Sequence, residues 1–244
     1  MIILAADTST SRGSVALRLS EGTVLREELG GERPHSETLL PAVEKILARA
    51  ALTRADVQII AVGTGPGSFT GLRVGLATFK AWAEASDLPI IPIVSLDAVA
   101  LPALRGGSPV VVLADARKGE VYAAFYPDFE DRDLPRREGD VVLIPHEEVP
   151  GWVSALKKPD VRLVGTGMPH LLEKGLVGDT GGGDLEGGVP DAVWVLALAE
   201  ALKVLGRTVR PSSLVPFYVR SPDARKPSPG AIVTGMPGLG GSES

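Results

Sequence analysis

One arrangement occurs twice in this chain of 244 residues. Ile2 to Ala6 is a short apolar run that ends at Asp7, and a turn rich in Ser, Thr and Gly leads into a second run, Ser14 to Leu19. Val110 to Ala114 ends in the same way at Asp115, and a polar, basic turn leads into Glu120 to Tyr126. Further along, IIAVGTG at 59–65 is answered by VRLVGTG at 161–167. Short apolar runs bounded by turn residues read as strands. Landmarks repeated in the same order point to a duplicated unit; the competing reading is coincidence, because strand–turn–strand elements ending in Asp and Gly are common.

The remaining pattern fills in each copy. Val24 to Leu29 is a third strand, which makes the opening an antiparallel meander. Ser36 to Ala50 places Leu39, Leu40, Val43, Ile46, Leu47 and Ala50 at helical spacing. Pro41 belongs in a first turn rather than a helix interior, so a cap at Thr38 is expected. Val57 to Val62 reads as a buried strand, Leu72 to Ser86 as a helix and Pro89 to Val94 as another strand. In the second half a charged loop is expected from Asp128 to Asp140, a strand at Val141 to Ile144 and a short helix around Trp152 to Lys157. A Gly/Asp linker over Asp179 to Gly188 precedes an apolar helix over Ala192 to Leu205. These spans predict an N-terminal lobe over 1–104, a smaller C-terminal lobe over 105–221, and a mobile tail over 222–244.

Composition removes several classes of chemistry. With 25 Lys plus Arg against 30 Asp plus Glu and a net charge of −5, no global field steers the chain toward nucleic acid, although a local basic patch remains open. The absence of cysteine excludes disulfides, thiolate nucleophiles and Cys-based metal sites. MIILAADTS does not read as a signal peptide, and no run of about 20 apolar residues occurs. A cytoplasmic location with no membrane contact is expected.

Two stretches could hold an anion. In GPGSFTG, Gly65, Gly67 and Gly71 permit sharp turns, Thr70 could cap the helix beginning near Leu72, and the backbone donors there would favour a phosphate or carboxylate. Ser68 lies in the same loop, and Arg73 could add charge. The loop is neither a Walker A loop nor a dinucleotide fingerprint, and a tight strand-to-helix corner explains the same glycines. Asp7, Thr8 and Thr10, with Ser9 between them, could hold hydrated magnesium and a phosphate, or could form an Asx turn that closes a hairpin.

Other constellations fail. His35, His146 and His170 are far apart, with no neighbour at metal-ligand spacing. Ser68 does not sit in a nucleophile elbow and has no assignable base. No pair of carboxylates has a spacing that implies acid and base roles; Glu84 is expected in solvent and Asp97 at a helix start.

LAADTST at 4–10, HSETLLPAV at 35–43, GTGPGSFTGLRVG at 63–75, DARKGEVY at 115–122 and PFYVR at 216–220 together resemble the TsaB (YeaZ) family. These are small bacterial paralogues of the TsaD catalytic subunit, within the actin-like, RNase H-like (ASKHA) superfamily. The resemblance covers most of residues 1–220. It implies a duplicated α/β fold with two lobes and mixed sheets flanked by helices. It also implies a noncatalytic scaffold or activator, without catalytic residues, metal or cofactor of its own, that supports threonylcarbamoyl transfer to adenosine 37 of tRNAs reading codons that begin with A. The implied partners are TsaD as a direct heterodimer and TsaE in a ternary complex, with tRNA reached only through the complex and a homodimer when the chain is alone. TsaD-like proteins carry two metal-binding histidines, four apart, where this chain has Ser95 and Val99. In the family the first two helices pack against their counterparts in TsaD. This carries the expected partner-binding residues onto Leu39, Val43, Leu72, Leu76 and Phe79, with Arg73 and the small residues Gly71 and Gly75. The alternative function is an independent actin-like ATPase or glycoprotease-like hydrolase.

Overall fold

The computed structural model describes residues 1–31, 33–130, 134–178 and 188–219. The tail expected over 222–244 and all but the last residue of the Asp179 to Gly188 linker lie outside the described residues. The chain opens with the antiparallel meander β1 (Ile3–Asp7), β2 (Ser14–Arg18) and β3 (Val24–Glu28). β4 (Ile59–Gly63) and β5 (Ile90–Ile93) add in parallel beyond β1, giving the order β3-β2-β1-β4-β5. The second half repeats the scheme. β6 (Val110–Asp115), β7 (Glu120–Phe129) and β8 (Pro135–Pro145) form an antiparallel meander, and β9 (Arg162–Val164) lies parallel to β6. The order β8-β7-β6-β9 matches the first four strands of the other sheet, so the duplication read from the sequence is present in strand order and direction.

β1 and β4 are buried along their whole length because helices cover both faces of the first sheet. Leu4 and Leu17 point to one side, where α1 (His35–Arg49) and α2 (Phe69–Ala85) pack with Leu39, Val43, Leu72 and Phe79. Ile3, Ala5 and Ala16 point to the other, against Val195, Leu196 and Ala199 of α6 (Ala192–Val204). α3 (Ser95–Leu104) packs on α6 and on the second sheet, so these two helices separate the sheets. The far face of the second sheet carries α4 (Val149–Ala155) and α5 (Met168–Glu173). A division into 1–104 and 105–221 therefore follows the sheets but not the helices, since α6 completes the core of the first sheet.

Three local expectations are corrected. α1 starts at His35 rather than after Thr38, with Pro34 at its N-cap and Pro41 inside the helix. The turn ahead of the proline is held by the His35 ring, whose Nε2 lies 2.7 Å from Thr10 O, and by Glu37 N–H donating to Pro34 O. α2 begins at Phe69, not Leu72, and its cap is Ser68 rather than Thr70. The charged stretch after Asp128 is mostly strand, because β7 and β8 run on as a long hairpin in which Arg136 pairs with Asp128 across the strands. Charge on an exposed hairpin arm masks the strand pattern.

Candidate functional site

The strand ends of β1 and β4 meet the start of α2 at a corner built on glycine. A Cβ on Gly63 would stand 1.9 Å from Asp7 Oδ2, on Gly67 2.2 Å from Ser9 O, on Gly71 2.1 Å from Thr8 O and on Gly75 2.3 Å from Thr8 Oγ1. No side chain fits at such distances. Gly71 and Gly75, four apart on α2, share a helix face, while Gly63 ends β4 and Gly67 lies in the loop before the helix. Gly71 and Gly75, expected to admit a partner helix, instead admit the chain's own 7–10 turn.

Within the corner the polar groups satisfy one another. Asp7 Oδ1 accepts from Ser9 N at 2.7 Å and Ser9 Oγ at 2.6 Å, and its Oδ2 accepts from Ser95 Oγ at 2.6 Å. Gly65 N donates to Ser95 Oγ, and Thr8 Oγ1 donates to Gly71 O at 2.9 Å. Asp7, Thr8, Ser9 and Ser95 are all buried. Burial pushes the Asp7 carboxyl up from its ordinary pKa, with the hydrogen bonds from Ser9 and Ser95 opposing. Three hydrogen bonds from within the corner thus fall on the two Asp7 oxygens. Asp115, at the matching place in the other lobe, makes the same turn by accepting from Arg117 N at 2.8 Å. Both aspartates thus close Asx turns.

Three backbone donors of the Gly-rich loop and the start of α2 are used inside the fold. Ser68 N donates to Ser9 O at 2.6 Å, Gly71 N to Ser68 Oγ at 3.2 Å and Leu72 N to Ser68 O. Ser68 is a helix cap, a role that uses its hydroxyl structurally. Thr70 is exposed in the first turn, and Thr10 donates to Arg12 O. The corner reading of the loop accounts for each of these contacts.

Outside the corner, the two Asx turns and the start of α2 border an open cleft of about 1130 Å³ between the lobes. Its lining includes Arg33, Arg73, Arg117 and Lys118 and, among the described residues, one carboxylate, Asp115, which lies 3.6 Å from Arg117. Arg73 lies 3.7 Å over the Phe69 ring, and Phe69 meets Tyr218 with ring centroids 5.6 Å apart. Tyr218 arrives on the segment after α6, which is tied to the first lobe by Phe217 N donating to Thr64 O and by Lys80 Nζ donating to Ser212 O and Leu214 O.

The expected partner-facing residues divide sharply. Leu39, Val43, Leu72, Leu76 and Phe79 are buried in the chain's own core, because each helix must cover the sheet beneath it. The outward stripe of the two helices includes Leu40, Pro41 and Glu44 on α1 and Arg73, Ala77 and Ala81 on α2, all exposed. Among the expected residues only Arg73 reaches solvent.

Ser95 stands beneath Asp7, and Val99 lies in the core between α3 and the second sheet. Asp97, two residues into α3, is more than a helix-start residue: its Oδ1 accepts from Tyr126 Oη at 2.7 Å and from Arg137 at 3.3 Å. Desolvation pushes its pKa up to about 6, opposed by these partners. Glu84 is exposed as expected. His146 and His170, far apart in sequence, stack with ring centroids 6.1 Å apart. His146 is buried, and among the described residues neither of its ring nitrogens has a hydrogen-bond partner. Among the described residues no three His, Asp or Glu side chains gather as a metal site would require, and no helix is long and apolar enough to cross a membrane.

Comparison with known proteins gives a consistent set of relatives. Residues 26–136 match the family described as TsaD: tRNA N6-adenosine threonylcarbamoyltransferase. The tRNA threonylcarbamoyladenosine biosynthesis protein TsaB of Escherichia coli (strain K12) is 36% identical over 243 residues, covering 94% of this chain and 99% of that protein. The protein of the same description from Haemophilus influenzae is 33% identical over 245 residues, covering 94% and 98%. Among solved structures, YeaZ from Pseudomonas aeruginosa superposes with a TM-score of 0.69 at 28% identity, covering 89% of this chain and 99% of that one.

Proposed function

The chain belongs to the TsaB (YeaZ) family, and we propose that it acts in threonylcarbamoyladenosine formation in tRNA as a noncatalytic subunit that binds and activates a TsaD-type catalyst. The observation that carries the noncatalytic reading is the hydrogen bond from Ser95 to Asp7, at 2.6 Å. Ser95 and Val99 occupy the positions that the family resemblance assigns to the two metal-binding histidines of the catalyst. One is a hydroxyl held in a closed cluster and the other an aliphatic side chain in the core, and neither donor set suits a transition metal. An independent ATPase or hydrolase would route through Asp7 or Thr10; Asp7 is committed to the corner, and Thr10 donates to Arg12 O.

The surface proposed for TsaD is the outward stripe of α1 and α2. Leu40 is 40% exposed, and Ala77 and Ala81 leave the helix backbone open to close approach by a partner helix. TsaE then joins the pair, a second copy of this chain uses a related surface when TsaD is absent, and the work is cytoplasmic.

The test is reconstitution of tRNA threonylcarbamoylation from TsaD, TsaE and the adenylate-forming enzyme, with and without this chain. Product formation should depend on it, together with a stable complex with TsaD. Undiminished product in its absence would overturn the reading.

A further inference from the structure

Arg117 and Lys118 adopt φ values of 64° and 55°, followed by Gly119 at 77°. The left-handed region is unfavourable for residues that carry a Cβ, and a hairpin turn of this shape is ordinarily made from Gly, Asn or Asp. Packing does not call for a cation at 117, since the Arg117 side chain is 81% exposed and, among the described residues, pairs only with Asp115, at 3.6 Å. The turn therefore gives up conformational ease to hold positive charge at the edge of the inter-lobe cleft. Across the cleft stand Arg33 and Arg73; among the described residues neither has a carboxylate at ion-pair distance. In a chain of net charge −5 this is a local reversal of sign. Beside the cations, Phe69 and Tyr218 are 38% and 41% exposed as a contacting pair.

We propose that this cleft receives a single-stranded segment of RNA, with phosphates on Arg33, Arg73 and Arg117 and bases against Phe69 and Tyr218. Cations that follow a backbone, combined with exposed aromatic faces, form the combination that binds unpaired nucleic acid. An acidic peptide would use the cations and gain nothing from the ring surface that stays exposed beside Arg73. The choice of RNA among polyanions rests on the role in tRNA modification proposed above. The site lies outside the Asp7 corner, whose groups are already satisfied, so it requires no nucleotide bound there.

The experiment measures binding of a fluorescein-labelled tRNA anticodon stem–loop to the full chain across a salt series, with polyglutamate as the competing anion. Arg33→Gln and Arg117→Asn are combined, because both positions lie off the α1–α2 stripe and Asn tolerates positive φ. The double variant should bind about tenfold more weakly and show a salt slope lower by about two, one for each phosphate no longer neutralised. Its Tm should be unchanged or higher, and its association with TsaD unchanged. A wild-type chain that binds the RNA in this way but fails to bind TsaD would sink the partner reading alone. Equal RNA affinity in wild type and variant overturns the cleft proposal. So does stronger binding of polyglutamate than of RNA, or a double variant that loses TsaD and keeps its RNA.

Discussion

Gly75 on α2 leaves the space that Thr8 fills: a Cβ there would stand 2.3 Å from Thr8 Oγ1. Gly75→Ala should destabilise the chain by about 1–3 kcal/mol, the usual cost of overpacking. Since the obstacle is a side-chain oxygen, Thr8→Ala should recover part of that loss in the double variant. At Gly71 the obstacle is the backbone carbonyl of Thr8, 2.1 Å from the added atom, so Gly71→Ala should gain nothing from Thr8→Ala. Urea unfolding of the two double-mutant cycles checks this; equal coupling in both would contradict the corner geometry.

The outward stripe of α1 and α2 makes a second prediction separable from folding. Leu40→Asp and Ala77→Asp should leave stability within about 0.5 kcal/mol, as exposed substitutions do. They should weaken association with TsaD about tenfold or more if these positions lie at the interface centre. Leu39→Ala, one residue away, removes a core side chain and should cost about 2–5 kcal/mol. Calorimetric titration with TsaD, paired with unfolding curves, distinguishes the two kinds of residue; retained affinity in both aspartate variants would move the interface elsewhere.

Much of the fold was legible because β1 and β6 are short apolar runs ending at Asp7 and Asp115, and β4 is one ending at Gly63, where the backbone role of the last residue is local. What the sequence left ambiguous depends on contacts between distant segments. SFTG offers Ser68 and Thr70 equally as caps, and Ser68 is selected because its own N–H is pinned by Ser9, 59 positions earlier in the loop after β1. Leu39 and Leu40 look alike at helical spacing, yet one is buried and the other exposed, because the covering sheet fixes the rotation of α1. The basic cleft was visible only as DARKGE and isolated arginines; topology brings Arg33, Arg73 and Arg117 to one opening.

Asp97 should give the chain a stability component that weakens as pH rises. Its carboxyl has an ordinary pKa of 3.8 and is pushed up to about 6 by desolvation in the fold. The native state therefore holds the proton over a range in which the unfolded chain has lost it. The contribution is complete below about pH 4 and disappears as pH rises through about 6, with an upper bound of about 3 kcal/mol. Asp97→Asn keeps the shape and removes the proton equilibrium. The difference in unfolding free energy between variant and wild type should then grow in the variant's favour from about pH 4 to about pH 7. A flat difference would contradict the proton held among Asp97, Tyr126 and Arg137.

His146 should act in the opposite direction. Desolvation is the main influence holding its pKa below the ordinary 6.5; Lys174 and His170 act the same way, and Glu147 and Asp115 oppose them. The native fold thus prefers the neutral ring, while the unfolded chain takes up the proton first as pH falls, so stability is retained above about 6.5 and lost below it. Among the described residues the buried ring nitrogens have no hydrogen-bond partners, which makes leucine an apolar replacement that breaks none of the hydrogen bonds described. His146→Leu should change stability little at about pH 7.5 and raise it relative to wild type at about pH 5.5, by an amount that grows as pH falls below about 6.5 and levels off once the native ring also takes up its proton. Because α4, α5 and β9 surround this part of the second sheet, amide exchange in those elements should report the acid loss before the first sheet does. A variant whose stability difference from wild type is the same at both pH values would show that the ring is not held neutral by its surroundings.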